Sequence, residues 1–165
     1  MTTDLIDNLI SDWKIARPDL DAKPMGVVGR ILRLGKILEI EASCKLKPYQ
    51  LQYTELDVLA TIRRKGEPFQ LNPKQLIESV LITSGAMTAC LNRLENRKLI
   101  KRIPDPNDRR GKLILLTNKG KKLIDKAIEA RFNQAQSALE ELTNKEQDEL
   151  ANLLAKLSKS IGNNG

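Results

Sequence analysis

The sequence predicts a mainly α-helical fold with one small β-hairpin, arranged as a winged helix-turn-helix between terminal helices. Three observations predict it. Aromatic residues make up 3% of the chain, and Leu and Ile dominate the 41% hydrophobic fraction, a composition of helices packed on helices rather than of a β-sandwich. Two short helical runs, Lys74–Val80 and Ser84–Lys98, are separated by a break at Leu81–Thr83, the spacing of a helix-turn-helix. Two apolar runs follow, Leu99–Ile103 and Lys112–Leu116, joined by the polar stretch Pro104–Gly111, which reads as a hairpin with its tip in solvent.

Each element has a local cause. Residues 4–16 carry Leu5, Ile6, Leu9, Ile10 and Trp13 at helical spacing, and Pro18 stops the run. A second helix is expected over Met25–Ser43, with a connector over Lys45–Gln52. The third runs over Thr54–Lys65, with Thr54-x-x-Asp57 as a capping-box-like start and Gly66-Glu-Pro68 as the stop. Asn72-Pro73 supplies an N-cap and a first-turn proline. In the run from Ser84, Met87, Leu91 and Leu94 fall at i, i+4 and i+7 and should face the core. Thr117 caps a long helix over Asn118–Leu142, and Thr143-x-x-Glu146 caps a last helix whose apolar face is Leu150, Leu153, Leu154, Leu157 and Ile161. Three regions are expected: N-terminal helices over 1–52, the winged helix-turn-helix over 53–117, and C-terminal helices over 118–165. The terminal helices are apolar enough to need a covering partner, and a twofold homodimer supplies one.

Composition excludes much. The chain has no histidine, which removes the commonest metal ligand and general acid/base. No GxGxxG or P-loop pattern is present, and no clustered carboxylates suggest a catalytic site, so the expectation is no enzyme, no cofactor and no metal. No run of eighteen apolar residues suggests a membrane span, and Met1–Asn8, with two acids and no base, does not read as a signal peptide. Two cysteines, Cys44 and Cys90, make no disulfide framework; both are expected as buried thiols in a reducing cytoplasm, with a redox switch as the alternative.

The charge is concentrated. The stretch 93–122 holds eleven Lys/Arg and three Asp/Glu, a formal +8 against +7 for the whole chain. A helix followed by a basic-tipped hairpin can place one element in the major groove of duplex DNA and the other in the minor groove. Ser84, Gly85, Thr88, Asn92 and Arg93 lie off the apolar face and can meet bases or phosphates. Arg109 and Arg110 sit at the hairpin tip. Each has a bland alternative: Ser84 as a cap, Thr88 as packing, the arginines as turn decoration.

These residues resemble the MarR (multiple-antibiotic-resistance-regulator) family of bacterial transcription factors over about residues 25–160. The resemblance rests on Leu81-Ile-Thr-Ser-Gly-Ala-Met-Thr88, Leu91-Asn-Arg-Leu-Glu95, Leu99-Ile-Lys-Arg-Ile-Pro-Asp-Pro-Asn-Asp-Arg-Arg-Gly111 and Leu115-Leu-Thr-Asn-Lys-Gly120, in that order. It implies a homodimer on a pseudo-palindromic operator, with Arg110 of Asp108-x-Arg110 entering the minor groove and Asp108 bracing the wing. The N-terminal part, Trp13-Lys-Ile-Ala-Arg-Pro-Asp-Leu-Asp21 with Pro24-Met and Gly29-Arg-Ile-Leu-Arg33, is similar to the PecS-type branch, which includes urate-responsive repressors. That similarity implies a small-anion site at Trp13, Asp57, Arg64 and Arg102, with an indole to stack on a planar ring and arginines to grip charge. Asp57 and Arg64, seven apart, share one helix face at about 10 Å. Urate, another purine or a small carboxylate would fit. The alternatives are a core role for Trp13, a capping role for Asp57, a surface role for Arg64 and a phosphate contact for Arg102. The function expected is a ligand-released, cytoplasmic repressor; the alternative is a regulator that is ligand-independent or responds through a thiol.

Overall fold

In the computed structural model the described residues are 4–80 and 83–162, and the side chains of Arg109 and Arg110 lie outside them. The expected break at Leu81–Thr83 therefore falls largely outside the described residues. The chain forms two compact units, Met1–Cys44 and Lys45–Gly165.

The first unit holds α1 (Leu5–Ala16) and most of α2 (Lys23–Leu46). Asp4 caps α1 by accepting from the Asp7 N–H at 2.9 Å. Arg30 of α2 donates to Asp4 at 2.9 Å and to Asp7 at 2.7 Å, tying the start of one helix to the other. Ile6 is buried, and a Cβ on Gly29 would lie 3.2 Å from it, so the glycine lets the helices meet closely. The helix α2 begins two residues before the expected Met25, because Asp21 accepts from the Lys23 N–H at 3.0 Å and Pro24 is tolerated in a first turn.

The second unit is the winged helix with the C-terminal helices. After a 3-10 turn (Lys47–Tyr49) come α3 (Tyr53–Arg64), β1 (Gln70–Leu71), α4 (Pro73–Val80), α5 (Ser84–Asn96), β2 (Ile100–Asp105), β3 (Asp108–Leu116), α6 (Asn118–Ala138) and α7 (Asn144–Gly162). Leu59, Ile62, Leu76, Leu94, Ile114 and Ile124 are fully buried at its centre. Helix α3 packs against α4, α5 and α6. The antiparallel sheet has the order β1-β3-β2, with Ile100 opposite Leu116 and Gln70 opposite Leu115.

Four expectations need correction. The cap of α3 is Gln52, whose N–H donates to Glu55 Oε2 at 2.9 Å, so neither Thr54 nor Asp57 starts the helix. The hairpin tip is only Pro106–Asn107: Asp105 accepts from the Asn107 N–H at 2.9 Å, closing the turn, and pairing runs out to Asp105 opposite Asp108. Pro104 is tolerated in β2 because that strand is at the sheet edge. Helix α6 ends at Ala138 rather than Leu142, where the Gln147 amide donates to the Leu139 and Leu142 carbonyls. Cys44 is exposed, since α2 turns Ala42 and Leu46 inward on the opposite face. The two-residue strand β1 is too short to carry a sequence period.

The Leu-Thr-x-x-Gly exit from the wing has a steric reason. Thr117 accepts from the Gly120 N–H at 3.0 Å and its hydroxyl lies 2.8 Å from the Lys98 carbonyl, so one side chain caps α6 and pins it to the end of α5. A Cβ on Gly120 would sit 2.1 Å from the Leu99 carbonyl oxygen, which is backbone and has nowhere to go. We therefore expect Gly120→Ala to lower stability by at least about 2 kcal/mol in urea unfolding, through overpacking against main chain. An unchanged midpoint would contradict this close approach.

Candidate nucleic-acid interface

Helix α5 is two-faced. Met87, Cys90, Leu91 and Leu94 are buried, as their spacing requires, and Ser84, Gly85, Thr88, Asn92 and Arg93 lie on the exposed side. The N-cap is Thr83, which accepts from the Ala86 N–H at 3.3 Å, leaving Ser84 inside the first turn. Among the described residues nothing lies within 4 Å of where a Cβ on Gly85 would be, so they leave the start of the helix open to close approach. The Thr88 hydroxyl donates to the Ser84 carbonyl at 3.0 Å.

The other half of α5 is held from below by Glu55, a carboxylate only 3% exposed on α3. Its Oε1 accepts from Arg93 Nε at 2.9 Å. Its Oε2 accepts from the Gln52 N–H at 2.9 Å and lies 3.7 Å from Arg97 Nη1. Arg93 also donates from Nη2 to Gln52 Oε1 at 2.9 Å, while Arg97 donates to the Gln50 and Tyr49 carbonyls at 2.6 and 3.1 Å. Two arginines one turn apart thus clamp the helix onto the start of α3 and the 3-10 turn before it. A buried carboxylate is tolerated only with such complete pairing.

A second tie joins α5 to the wing. Arg102 of β2 forms an ion pair with Glu95 and donates to Asn92 Oδ1 at 2.8 Å; its N–H donates to Glu95 Oε1 at 3.1 Å. In the hairpin, a Cβ on Gly111 would lie 2.9 Å from the Asp108 side chain, so Asp108 folds back across its own turn. The backbone of β3 runs through Arg109 and Arg110, whose side chains lie outside the described residues. Lys101 and Lys112 are exposed on the hairpin.

The ligand residues expected from sequence are distributed differently. Trp13 stands on α1 in the first unit, 55% exposed rather than in a core. Asp57 and Arg64 share a face of α3. Burial raises the Asp57 carboxyl above its ordinary value, while Arg64 and Arg131 of α6 pull it down. Arg102 directs its hydrogen bonds to Glu95 and Asn92 on α5. Sequence reasoning missed Glu55 and Arg97. The available signals were Gln52-x-x-Glu55 as a capping box and the i, i+4 spacing of Arg93 and Arg97.

A helix-turn-helix with an exposed second helix, followed by a basic hairpin, defines a winged-helix DNA-binding protein. Residues 49–111 match the family model described as the MarR family. The chain is 31% identical over 159 residues to the HTH-type transcriptional regulator PecS of Dickeya dadantii, covering 96% of each chain. It is 34% identical over 117 residues to the multiple antibiotic resistance protein MarR of Salmonella typhimurium, covering 70% of this chain and 77% of that one. Its fold matches apo MarR of Escherichia coli with a TM-score of 0.66 at 27% identity, covering 78% of this chain and 94% of that one. It also matches Sco3205 of Streptomyces coelicolor, solved in complex with DNA, with a TM-score of 0.78 at 19% identity, covering 86% and 93%. The chain belongs to the MarR family of transcriptional regulators, a family of DNA-binding proteins rather than enzymes. Among the described residues no helix is long and apolar enough to cross a membrane.

Two predictions follow from the arrangement around α5. Glu55→Gln leaves one acceptor where two are used, so either Arg93 or the Gln52 N–H loses its partner. The expected result is a fall of about tenfold in operator affinity, roughly 1.4 kcal/mol of lost preorganisation, with non-specific DNA binding retained or raised because a negative charge is gone. Equal losses for both DNAs would contradict positioning. Burial pushes the Cys90 thiol up to about 11, the Glu55 charge adding to it against Arg93. An aromatic disulfide reagent at neutral pH should therefore label Cys44 rapidly and Cys90 only after unfolding; fast labelling of both would show that α5 opens.

Proposed function

We propose that this chain is a homodimeric repressor that binds a pseudo-palindromic operator and is released by a small anion. The observation that carries DNA binding is the exposed first half of α5 set beside the basic hairpin. Ser84, Gly85 and Thr88 enter the major groove. Arg93 keeps Glu55 and Gln52 and offers its remaining Nη1 to a phosphate, with Asn92 beside it. Arg109 and Arg110 enter the adjacent minor groove, where narrow A·T tracts attract arginine. Solved relatives support this reading: MarR of Escherichia coli has been crystallised with operator DNA.

Dimerisation is supported by apolar surface that the single chain leaves open. Helix α7 buries none of its residues, and Leu153 is 59% exposed. Phe132 of α6 and Leu32 of α2 are exposed as well. A second copy covering these helices would place two α5 segments for two half-sites. The chain would work in the cytoplasm, where the DNA is.

The effector reading draws on the likeness to PecS and on Trp13, Asp57, Arg64 and Arg102. Another relative by fold, an organohalide-sensing regulator, was solved with 2,4-dichlorophenol bound. An anion that recruits Arg102 takes it from Glu95 and Asn92, and one that crowds Asp57 pushes on α3. Both loosen the seat of α5. A coupling of about 1–3 kcal/mol would change operator affinity about 5–150-fold. A ligand-independent or thiol-responsive regulator is the alternative.

Operator affinity should fall by about a thousandfold between roughly 50 and 200 mM salt, the figure for about six neutralised phosphates. A flat salt response on a pseudo-palindrome from its own promoter would contradict the DNA interface. Calorimetry with urate should show binding that weakens in both Trp13→Phe and Arg64→Ala. Equal affinity in wild type and both variants would remove this anion site.

A further inference from the structure

The loop that leads from α3 into β1 carries a phenyl ring faced by two cations. Arg63, at the end of α3, holds its guanidinium 5.1 Å from the centroid of the Phe69 ring. Lys121, near the start of α6, holds its ammonium 4.5 Å from the same centroid. Each cation is steered by a carboxylate: Arg63 Nε donates to Asp125 at 2.7 Å, and Lys121 Nζ lies 3.8 Å from Glu67. The ring is buried. The Phe69 backbone has a φ of +54°, a left-handed conformation that a bulky residue keeps only where its surroundings enforce it. An aliphatic side chain would satisfy burial, whereas two cations call for an aromatic face. The Phe69 carbonyl in turn accepts from the N–H of Leu116, the last residue of β3, at 3.0 Å.

We propose that Phe69 is a positioning residue for operator recognition, its ring joining α3 to α6 and its carbonyl holding the base of the hairpin to that joint. The role rests on the reading, given above, that the hairpin contacts DNA. Strand β3 has nine residues, so its tip stands about 27 Å from its base at about 3.4 Å per residue. A swing of about 5° at the base moves such a tip by about 2 Å, more than a hydrogen bond tolerates. Arg102 ties the β2 side of the hairpin to α5. Phe69 ties the β3 side to a different pair of helices, and two supports set an angle where one leaves a pivot. Strand β1 pairs with β3 through Gln70 and Leu71, so the ladder beside this joint is short and the carbonyl of Phe69 extends it.

The test uses the full chain with two separate changes at the joint. A trifluorinated phenylalanine in place of Phe69 keeps the shape of the ring and removes most of its negative face, and Lys121→Met removes the nearer cation. Amide hydrogen exchange is followed without DNA. Affinity is then measured for an operator fragment from the chain's own promoter and for unrelated duplex of equal length. The Leu116 amide should exchange at least about threefold faster in both variants, while the Leu59 and Ile62 amides of α3 keep their rates. Operator affinity should fall about tenfold in the fluorinated chain and about fivefold in Lys121→Met, with less than about a twofold change on unrelated duplex. The doubly changed chain should lose less than the product of the two separate losses, and Lys121→Arg, which keeps a cation, should bind like wild type. Equal acceleration at Leu116, Leu59 and Ile62 would make Phe69 a general core residue and overturn the role, as would an unchanged Leu116 rate. A wild-type chain with no preference for its operator overturns the DNA reading and this role with it. A wild type that prefers its operator, with variants that bind it equally well, overturns this role alone.

Discussion

The carboxylate of Glu55 governs how this chain presents itself. It lies at the first turn of α3, closed off from solvent, and one oxygen caps its own helix while the other holds Arg93 of α5. Burying a charge is unfavourable unless every lone pair is used. Here both oxygens are used, and Arg93 comes from another helix, 38 residues from Glu55 in sequence. The pairing therefore specifies a relative placement of α3 and α5 that an apolar contact would leave free to slide.

Two ties act on the same half of the recognition helix. Glu55 holds it from the body side through Arg93, with Arg97 nearby, and Arg102 holds it from the wing side through Glu95 and Asn92. Among the described residues, the polar groups of the first half, from Thr83 to Thr88, bond only within their own helix, while Met87 anchors it in the core. A helix gripped at its C-terminal half and open at its N-terminal half is suited to entering a groove with its first turns. The wing is fixed to the same frame, because Thr117 joins the ends of α5 and α6 and Gly120 admits the Leu99 carbonyl. Recognition helix and hairpin are thus tied to one frame, and the effector proposed above would act by loosening one of those ties.

Much of the fold was legible because its causes are local. Met87, Leu91 and Leu94 fell on one face by period alone, and Asn72-Pro73, Thr117 and Thr143-x-x-Glu146 marked helix starts that the coordinates show. Thr54-x-x-Asp57 and Gln52-x-x-Glu55 overlap as capping signals, and burial of Glu55 decides for the second. Polar residues in 108–111 read as loop, although Asp105 closes the turn after two residues and pairing resumes at Asp108. The strand β1 carries no period at two residues and exists because β3 offers an edge to pair with. The ion pairs that seat α5 join distant segments, and no spacing in the sequence reports them.

The most direct test is a crystal structure of the chain bound to its operator. The account predicts that Ser84 and Thr88 lie in the major groove while Arg93 Nε remains within hydrogen-bonding distance of Glu55. Finding Arg93 swung away to the DNA, with Glu55 left without it and the first turn of α5 outside the groove, would contradict the account.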